Sequence, residues 1–189
     1  MKSNLLKLLL KSPFDTNYAK TRGCSPRMLS YFEKKGKIIR LAYGVYSFPE
    51  NLSLDLESLL REKLIQAPQA VIGMHTALKF YNLSDEAPSV IDLMVPESNI
   101  PKKKMTDVKL HSVKDHLLKR GVIKIRKIPI TSLERTIIDI LRKKGTIKEG
   151  VAIIHLAQKN GLKIDFSEIE NLGILFRVKR KVLTILEIL

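Results

Sequence analysis

Residues 16–32 have the sequence TNYAKTRGCSPRMLSYF, which is typical of two short helices joined by a tight turn. The first helix of such a pair crosses close to the second, and Ala19 supplies the small side chain needed at the crossing. Gly23 can adopt the positive φ that the turn requires. Ser25 can cap the second helix, and Pro26 suits its first position, where a missing N–H costs nothing. This pattern predicts a helix-turn-helix.

The second helix of the pair sorts its side chains onto two faces. The residues expected to point into a small core are Met28, Leu29 and Phe32. The residues that share the opposite face, at positions i, i+3, i+4 and i+7, are Arg27, Ser30, Tyr31 and Lys34. Arginine can pair bidentately with guanine, serine can bond base edges or phosphate, and lysine can hold phosphate. This face is therefore predicted to read bases in the major groove, with packing beneath a neighbouring hairpin as the alternative for Tyr31.

A hairpin follows the helix pair. Its predicted strands, residues 38–41 and 45–48, flank a turn at residues 42–44, so it would form the wing of a winged helix-turn-helix. The residues predicted to contact the DNA backbone are Arg22, Ser25, Lys37, Arg40 and Tyr43. Two other interpretations stay open: the basic stripe is a solvated helix face, or the winged helix mediates protein contacts only.

The chain as a whole predicts an α+β protein, in which an N-terminal winged helix-turn-helix is followed by a mixed α/β domain. With a boundary near Pro68, the expected domains are residues 1–66, which bind DNA, and residues 67–189, which are basic. The expected helices are residues 4–11, 53–65, 74–81 and 131–144, with two or three more at the end, the last over residues 177–189. The expected strands of the second domain are residues 90–95, 108–113 and 122–128. Residues 131–134 have the form of a capping box, in which Thr131 caps the helix and Glu134 reaches back.

The distribution of charge favours a polyanionic partner. The chain carries 34 Lys and Arg against 19 Asp and Glu, a net charge of +15, and each phosphate neutralised by such a surface releases condensed counterions. Residues 98–148 hold 15 basic and 4 acidic side chains. The residues predicted to form a second basic surface are Lys102, Lys103, Lys104, Lys124, Arg126 and Lys127. A protein or RNA partner could use the same surface, and a solvated charge run is the simplest alternative.

Side chains suited to catalysis are scattered along the sequence. Asp92 and Glu97 flank a strand end, but no following lysine completes a nuclease-like signature. The 4 histidines lack metal-ligand spacing. Arg135 and Asp139 are interpreted as an i, i+4 pair on a helix surface, and Cys24 as a buried or incidental thiol. We therefore predict no enzyme activity, no metal and no cofactor.

The sequence also bears on the compartment. It has a single cysteine, which cannot form an internal disulfide. It has no signal-peptide pattern and no apolar run near the roughly 18 residues that a membrane span needs. The prediction is a cytoplasmic protein without membrane contact.

Several separated segments together resemble one known family. They are residues 18–23, Leu29, Gly36, residues 39–46, residues 75–78, Leu83, Val95-Pro96 and residues 130–141. In this order they resemble the AbiEi-type antitoxins of type IV, abortive-infection toxin–antitoxin systems, over roughly residues 4–145. One departure is Tyr43, since the family often has a basic residue before the glycine of the wing.

The resemblance implies an autorepressor that joins a winged helix to a second α/β domain. Such a protein binds double-stranded DNA at repeats in its own promoter and opposes a nucleotidyltransferase-like toxin in phage defence. One alternative is a binding module whose basic second domain engages a toxin protein or RNA, with the winged helix secondary; another is a nucleic-acid enzyme. The operator sequence, the choice between monomer and dimer, direct contact with the toxin and the role of the last helix stay open.

Overall fold

The computed structural model of the chain describes residues 13–49, 56–84, 90–102 and 105–189. The chain divides into two compact units, Met1–Pro68 and Gln69–Leu189. Helices and sheets occur in both units, so the predicted α+β class is confirmed. The helix predicted over residues 4–11, and the predicted start of another at residue 53, lie outside the described residues.

The first unit has the element order of a winged helix-turn-helix. Its helices are α1 (Thr16–Thr21), α2 (Pro26–Lys34) and α3 (Leu56–Gln66), and its strands are β1 (Phe14–Asp15), β2 (Ile39–Ala42) and β3 (Val45–Ser47). Strand β3 lies between β1 and β2 and pairs antiparallel with both. Helix α3 packs against β1 and β3. The hairpin of β2 and β3 is the predicted wing.

Two side-chain caps and one glycine shape the helix pair. The N–H of Tyr18 donates to Asp15 Oδ1 at 2.6 Å, which caps α1. The N–H of Met28 donates to the Ser25 hydroxyl at 3.3 Å, which caps α2 as the sequence predicts. Gly23 lies between the helices with a φ of +78°, where most L side chains are strained.

A compact apolar core holds this unit together. Its buried members are Phe14, Ala19, Cys24, Leu29, Phe32, Ile38, Tyr46 and Phe48. Ala19 and Leu29 are both completely buried, which matches the small residue and the apolar face that the sequence assigns to the two helices. Burial of one leucine side chain stabilises a fold by about 1.5–3 kcal/mol. The core therefore fixes which face of α2 is left for solvent.

The second unit contains a mixed five-stranded sheet. Its strands are β4 (Val71–Ile72), β5 (Ile91–Pro96), β6 (Val108–Val113), β7 (Val122–Ile125) and β8 (Ile128–Thr131), in the spatial order β6-β5-β4-β8-β7. The pairs β5–β6 and β4–β8 are parallel, whereas β4–β5 and β7–β8 are antiparallel. Strands β6 and β7 are thus the two edges of the sheet.

Helices cover this sheet around one central helix. They are α4 (Met74–Phe80), α5 (Asp115–Leu118), α6 (Leu133–Lys143), α7 (Ile147–Lys159), α8 (Phe166–Leu175) and α9 (Lys179–Ile188). Helix α6 packs against α4, α7, α8 and β8. Because it is surrounded by these elements, almost all of its first nine residues are buried.

None of the described helices is both long enough and apolar enough to span a membrane.

The strand predicted over residues 122–128 is wrong in its extent. It is two strands, β7 and β8, joined by a two-residue turn at Arg126 and Lys127. Both turn residues have a positive φ, +48° and +68°. Such a turn normally carries asparagine and glycine, and neither residue is present at this point to indicate a turn.

The predicted capping box is also wrong. Thr131 is the last residue of β8, and its hydroxyl bonds to that of Thr136 at 2.7 Å. Helix α6 is capped by Ser132 instead, whose hydroxyl accepts the N–H of Arg135 at 3.2 Å. Glu134 accepts the N–H of Asp165 and does not reach back to the cap. Strand β8 extends to Thr131, the position where the cap was expected, so the cap lies one residue further along the chain.

Arg135 and Asp139 pair as predicted, but inside the protein rather than on a helix surface. Arg135 Nε donates to Asp139 Oδ2 at 2.8 Å, and both side chains are at most 1% exposed. Arg135 Nη1 donates to the carbonyl oxygens of Leu117 and Arg120, and the guanidinium lies 3.8 Å from the centre of the Phe176 ring. Burial lowers the pKa of Arg135 and raises the pKa of Asp139. Partners from distant parts of the chain thus replace the solvent that a surface pair would have.

Candidate nucleic-acid interface

The exposed face of α2 carries the four side chains predicted to read bases. Leu29 and Phe32 anchor the opposite face in the core and are at most 2% exposed. The exposed residues of the helix include Arg27, Ser30, Tyr31 and Lys34. At the spacing i, i+3, i+4 and i+7 they form one stripe along the helix. The structure therefore brings these residues together on a single solvent-facing surface.

Tyr31 lies at the border between this surface and the core. Its side chain is half exposed, and its ring meets Phe32 edge to face with the ring centres 5.7 Å apart. Together with Arg27 and Met28, these two rings line a shallow depression of about 190 Å³. A half-buried aromatic ring offers a flat apolar surface to a thymine methyl group while its hydroxyl stays in water.

The wing adds two aromatic rings and a cation. The guanidinium of Arg40 lies 5.7 Å from the ring centre of Tyr43 and 5.6 Å from that of Tyr46. Tyr46 is buried and stacks on Phe14 in the core, whereas Tyr43 is 78% exposed at the turn. Arg40 thus lies within cation–π distance of one buried and one exposed ring, and such contacts favour an ordered side chain.

The wing is also fixed to the first helix of the pair. The backbone N–H of Thr16 donates to the carbonyl of Gly44 at 2.9 Å, and the Thr16 hydroxyl donates to the same oxygen at 3.2 Å. A Cβ atom added to Gly44, whose φ is +75°, would lie 3.3 Å from that hydroxyl. The positive φ of the turn favours glycine here, and a larger residue would also need the Thr16 hydroxyl to shift slightly. These contacts hold the wing tip in a defined position relative to the helix pair.

The remaining predicted backbone contacts lie on the exposed rim of the same unit. Arg22 follows α1, with its guanidinium 5.2 Å from the ring centre of Tyr18. Ser25 is exposed and uses its hydroxyl as the cap of α2. Lys37 is exposed on the connection from α2 to β2. Hydroxyls and amides at a helix N-terminus can also bind a phosphate, so all three positions keep a chemistry suited to the DNA backbone.

The residues predicted to form a second basic surface separate into two groups. Lys124 is in edge strand β7, and the turn after it carries Arg126 and Lys127; all three are exposed. Lys102 is exposed on the connection that leads into β6, the opposite edge strand. Lys103 and Lys104 lie outside the described residues. Three strands lie between these edges, so the two groups belong to opposite sides of the sheet.

Several of the enzyme-like residues of the sequence are buried in the structure. Asp92 and His111 are buried on neighbouring strands, with Asp92 Oδ1 and His111 Nε2 2.7 Å apart, a pairing that the sequence analysis missed. They stand diagonally across the parallel pair β5–β6, a relation that only the strand register reveals. Cys24 is buried, which raises the pKa of its thiol. In the described ranges, His, Cys, Asp and Glu side chains form no group of three or more that could hold a metal ion.

The first unit has the architecture of DNA-binding winged helix-turn-helix proteins. Residues 5–49 match the family described as "Transcriptional regulator, AbiEi antitoxin", so the resemblance noted in the sequence is confirmed over these residues. No curated protein matches the chain. Among solved structures, the crystal structure of the RV2827C protein from Mycobacterium tuberculosis is similar, with a TM-score of 0.58 and 15% identity. The similarity covers 84% of this chain and 63% of that chain, and at this identity it shows the fold alone.

Proposed function

We propose that the protein is a DNA-binding antitoxin and a transcriptional autorepressor of a type IV toxin–antitoxin operon, acting in the cytoplasm against a nucleotidyltransferase-like toxin. The family match over residues 5–49 supports a DNA-binding antitoxin in general terms. In this proposal a DNA-binding domain over residues 1–66 docks on repeats in the promoter. The basic domain over residues 67–189 adds affinity.

The observation that carries the proposal is the division of α2 into two faces. One face is fixed in the core by Leu29 and Phe32, and the other presents Arg27, Ser30, Tyr31 and Lys34 to solvent. A helix held in this way can enter the major groove without rearranging its own unit. Arg40 and Tyr43 on the fixed wing would then reach the adjacent backbone.

The turn at Arg126 and Lys127 supports a contribution from the second domain. Two basic residues occupy left-handed backbone positions at the tip of an exposed hairpin. A tip of this kind projects its charges away from the sheet, where a phosphate backbone can approach them. Lys124 lies in the preceding strand and extends the same basic edge.

The test is fluorescence anisotropy of the full chain on duplex DNA from directly upstream of its own gene, with a scrambled duplex of equal length. Both duplexes are titrated at two salt concentrations. The variant Arg27→Ala/Lys34→Ala removes the outer charges of the α2 face. One lost bidentate contact reduces discrimination between bases by about 1–3 kcal/mol, or about fivefold to 150-fold. We expect wild type to prefer the upstream duplex and the variant to lose that preference.

The matched control is Lys159→Ala/Lys163→Ala, which removes two exposed charges from the second unit. Its preference for the upstream duplex should equal that of wild type. Weak, equal binding of both duplexes that the α2 substitutions do not change would contradict specific repression. In that case RNA and the cognate toxin become the partners to test on the basic second domain.

A further inference from the structure

The second unit contains a cavity of about 380 Å³ with a basic rim. Its basic lining residues are Lys114, His116, Arg142 and Arg177. The described residues that line it include no aspartate or glutamate. Apolar side chains, among them Leu175 and Val178, form the rest of its wall. The described residues of the predicted second basic surface, namely Lys102, Lys124, Arg126 and Lys127, are not among the lining residues.

Three separate parts of the fold bring these residues together. Lys114 and His116 lie at the start of α5, Arg142 lies in the last turn of α6, and Arg177 lies between α8 and α9. The guanidinium of Arg142 is 5.9 Å from the ring centre of Phe176, a buried residue of the cavity wall. The cavity is thus a product of tertiary structure, and one of its cations is oriented by an aromatic ring.

The helix dipoles favour a cation at Arg142 but not at Arg177. Arg142 lies near the C-terminal end of α6, where a cation is favoured. Arg177 instead comes just before α9, whose first turn contains no acidic residue and whose N-cap, Val178, makes no side-chain hydrogen bond. A cation is disfavoured at a helix N-terminus because the dipole is positive there. An anion at this position would be attracted by both the helix end and the side chains.

The backbone at Arg177 is strained in a way that glycine would relieve. Its φ is +61°. Its N–H donates to the carbonyl of Ile174 at 3.1 Å, and the next N–H donates to that of Gly173 at 2.8 Å, which together form a Schellman motif at the end of α8. Glycine is the usual residue at this position of the motif. Arginine is less stable than glycine in this backbone conformation, and it places a guanidinium at the cavity.

We propose that this cavity binds a small phosphate ester of about the size of a nucleoside monophosphate. The phosphate group is held by Arg142, Arg177 and Lys114, and the organic part lies against Leu175 and Val178. The site is a half-open cleft of about 380 Å³, within the range of about 300–1,000 Å³ that is typical of concave small-molecule sites. The binding does not depend on DNA recognition by the winged helix.

Isothermal titration calorimetry of the full chain tests the proposal with adenosine 5′-monophosphate, inorganic phosphate and adenosine as the three probes. We expect the monophosphate to bind with a Kd at or below about 1 mM. Phosphate should bind more weakly and adenosine should not bind. Arg177→Gly should weaken monophosphate binding by about tenfold or more, because a charge-assisted contact is lost. The same substitution should leave Tm unchanged or raise it by about 2–4 °C.

Weaker monophosphate binding together with an unchanged or higher Tm distinguishes a lost ligand contact from a damaged fold. Arg142→Ala should also weaken binding, whereas the matched control Lys163→Ala should bind as wild type does. Equal binding of adenosine and its monophosphate, or no binding at several millimolar, would overturn the proposal. Release of bound duplex DNA by the monophosphate, with equal weakening of both ligands in Arg177→Gly, would assign the cations to the DNA backbone and also overturn it.

Discussion

Replacing Arg126 and Lys127 with asparagine and glycine should make the second unit more stable and should weaken its binding to DNA. The two residues form the whole connection between β7 and β8, because Ile125 and Ile128 on either side are already paired. Their φ angles of +48° and +68° match a turn in which both central residues are left-handed. Asparagine followed by glycine is the preferred sequence for this turn.

The expected gain in stability follows from the backbone. A left-handed conformation costs an L residue roughly 1–2 kcal/mol, and asparagine and glycine tolerate it better. The greater freedom of glycine in the unfolded chain offsets about 0.5–1 kcal/mol of this gain. A net gain of about 1 kcal/mol raises Tm by about 2–4 °C in a chain of this length. Differential scanning calorimetry at one protein concentration measures this shift.

The expected loss of DNA binding is estimated from the salt dependence of the binding constant. Each phosphate contact contributes about 0.9 to the slope of log K against log salt, so two lost contacts reduce the slope by about 1.8. Anisotropy titrations of a scrambled duplex at four salt concentrations provide the slope, and Lys159→Ala/Lys163→Ala controls for net charge. An unchanged slope would refute the contact between this turn and DNA. A lower Tm would refute the argument from backbone strain.

Two further substitutions or reactions probe buried groups. Arg135→Met should lower the free energy of unfolding by about 3–5 kcal/mol, because it leaves the Asp139 carboxylate buried without its partner. Arg135→Met/Asp139→Leu should recover much of this loss. Urea titration measures both variants, and a double variant no more stable than Arg135→Met would contradict this explanation. Cys24 is the single cysteine, and burial raises the pKa of its thiol, so less thiolate is present at any pH below that pKa. Iodoacetamide at pH 8 should therefore alkylate the native chain about tenfold or more slowly than the unfolded chain, and equal rates by mass spectrometry would show that the thiol is accessible.

The winged helix-turn-helix was predictable because its signals are local. Gly23, Ser25 and Pro26 act on their own backbone or on the adjacent turn, and each has the predicted effect in the structure. The faces of α2 followed from its period alone, with Leu29 and Phe32 inside. Local capping and periodicity are the features of a sequence that depend least on tertiary contacts.

The second unit was less predictable because distant partners decide its details. Arg135 looks like a surface residue in sequence, yet Leu117, Arg120 and Phe176 enclose it from segments 15 to 41 residues away. The hairpin turn at Arg126 has none of the residues that usually mark such a turn. The basic cavity requires three segments to meet. Its one local signal is Arg177, which precedes a helix whose first turn has no acidic residue.

Basic residues at positive φ connect the two proposals made for the second unit. Arg126, Lys127 and Arg177 each occupy a backbone conformation that glycine adopts at less expense in strain. Arg126 and Lys127 form the turn of a hairpin, and Arg177 lies between two helix ends. If these positions serve only to connect elements, glycine or asparagine should improve stability without any loss of anion binding. If they serve anions, stability and binding must change in opposite directions, and that opposition distinguishes a functional charge from an incidental one.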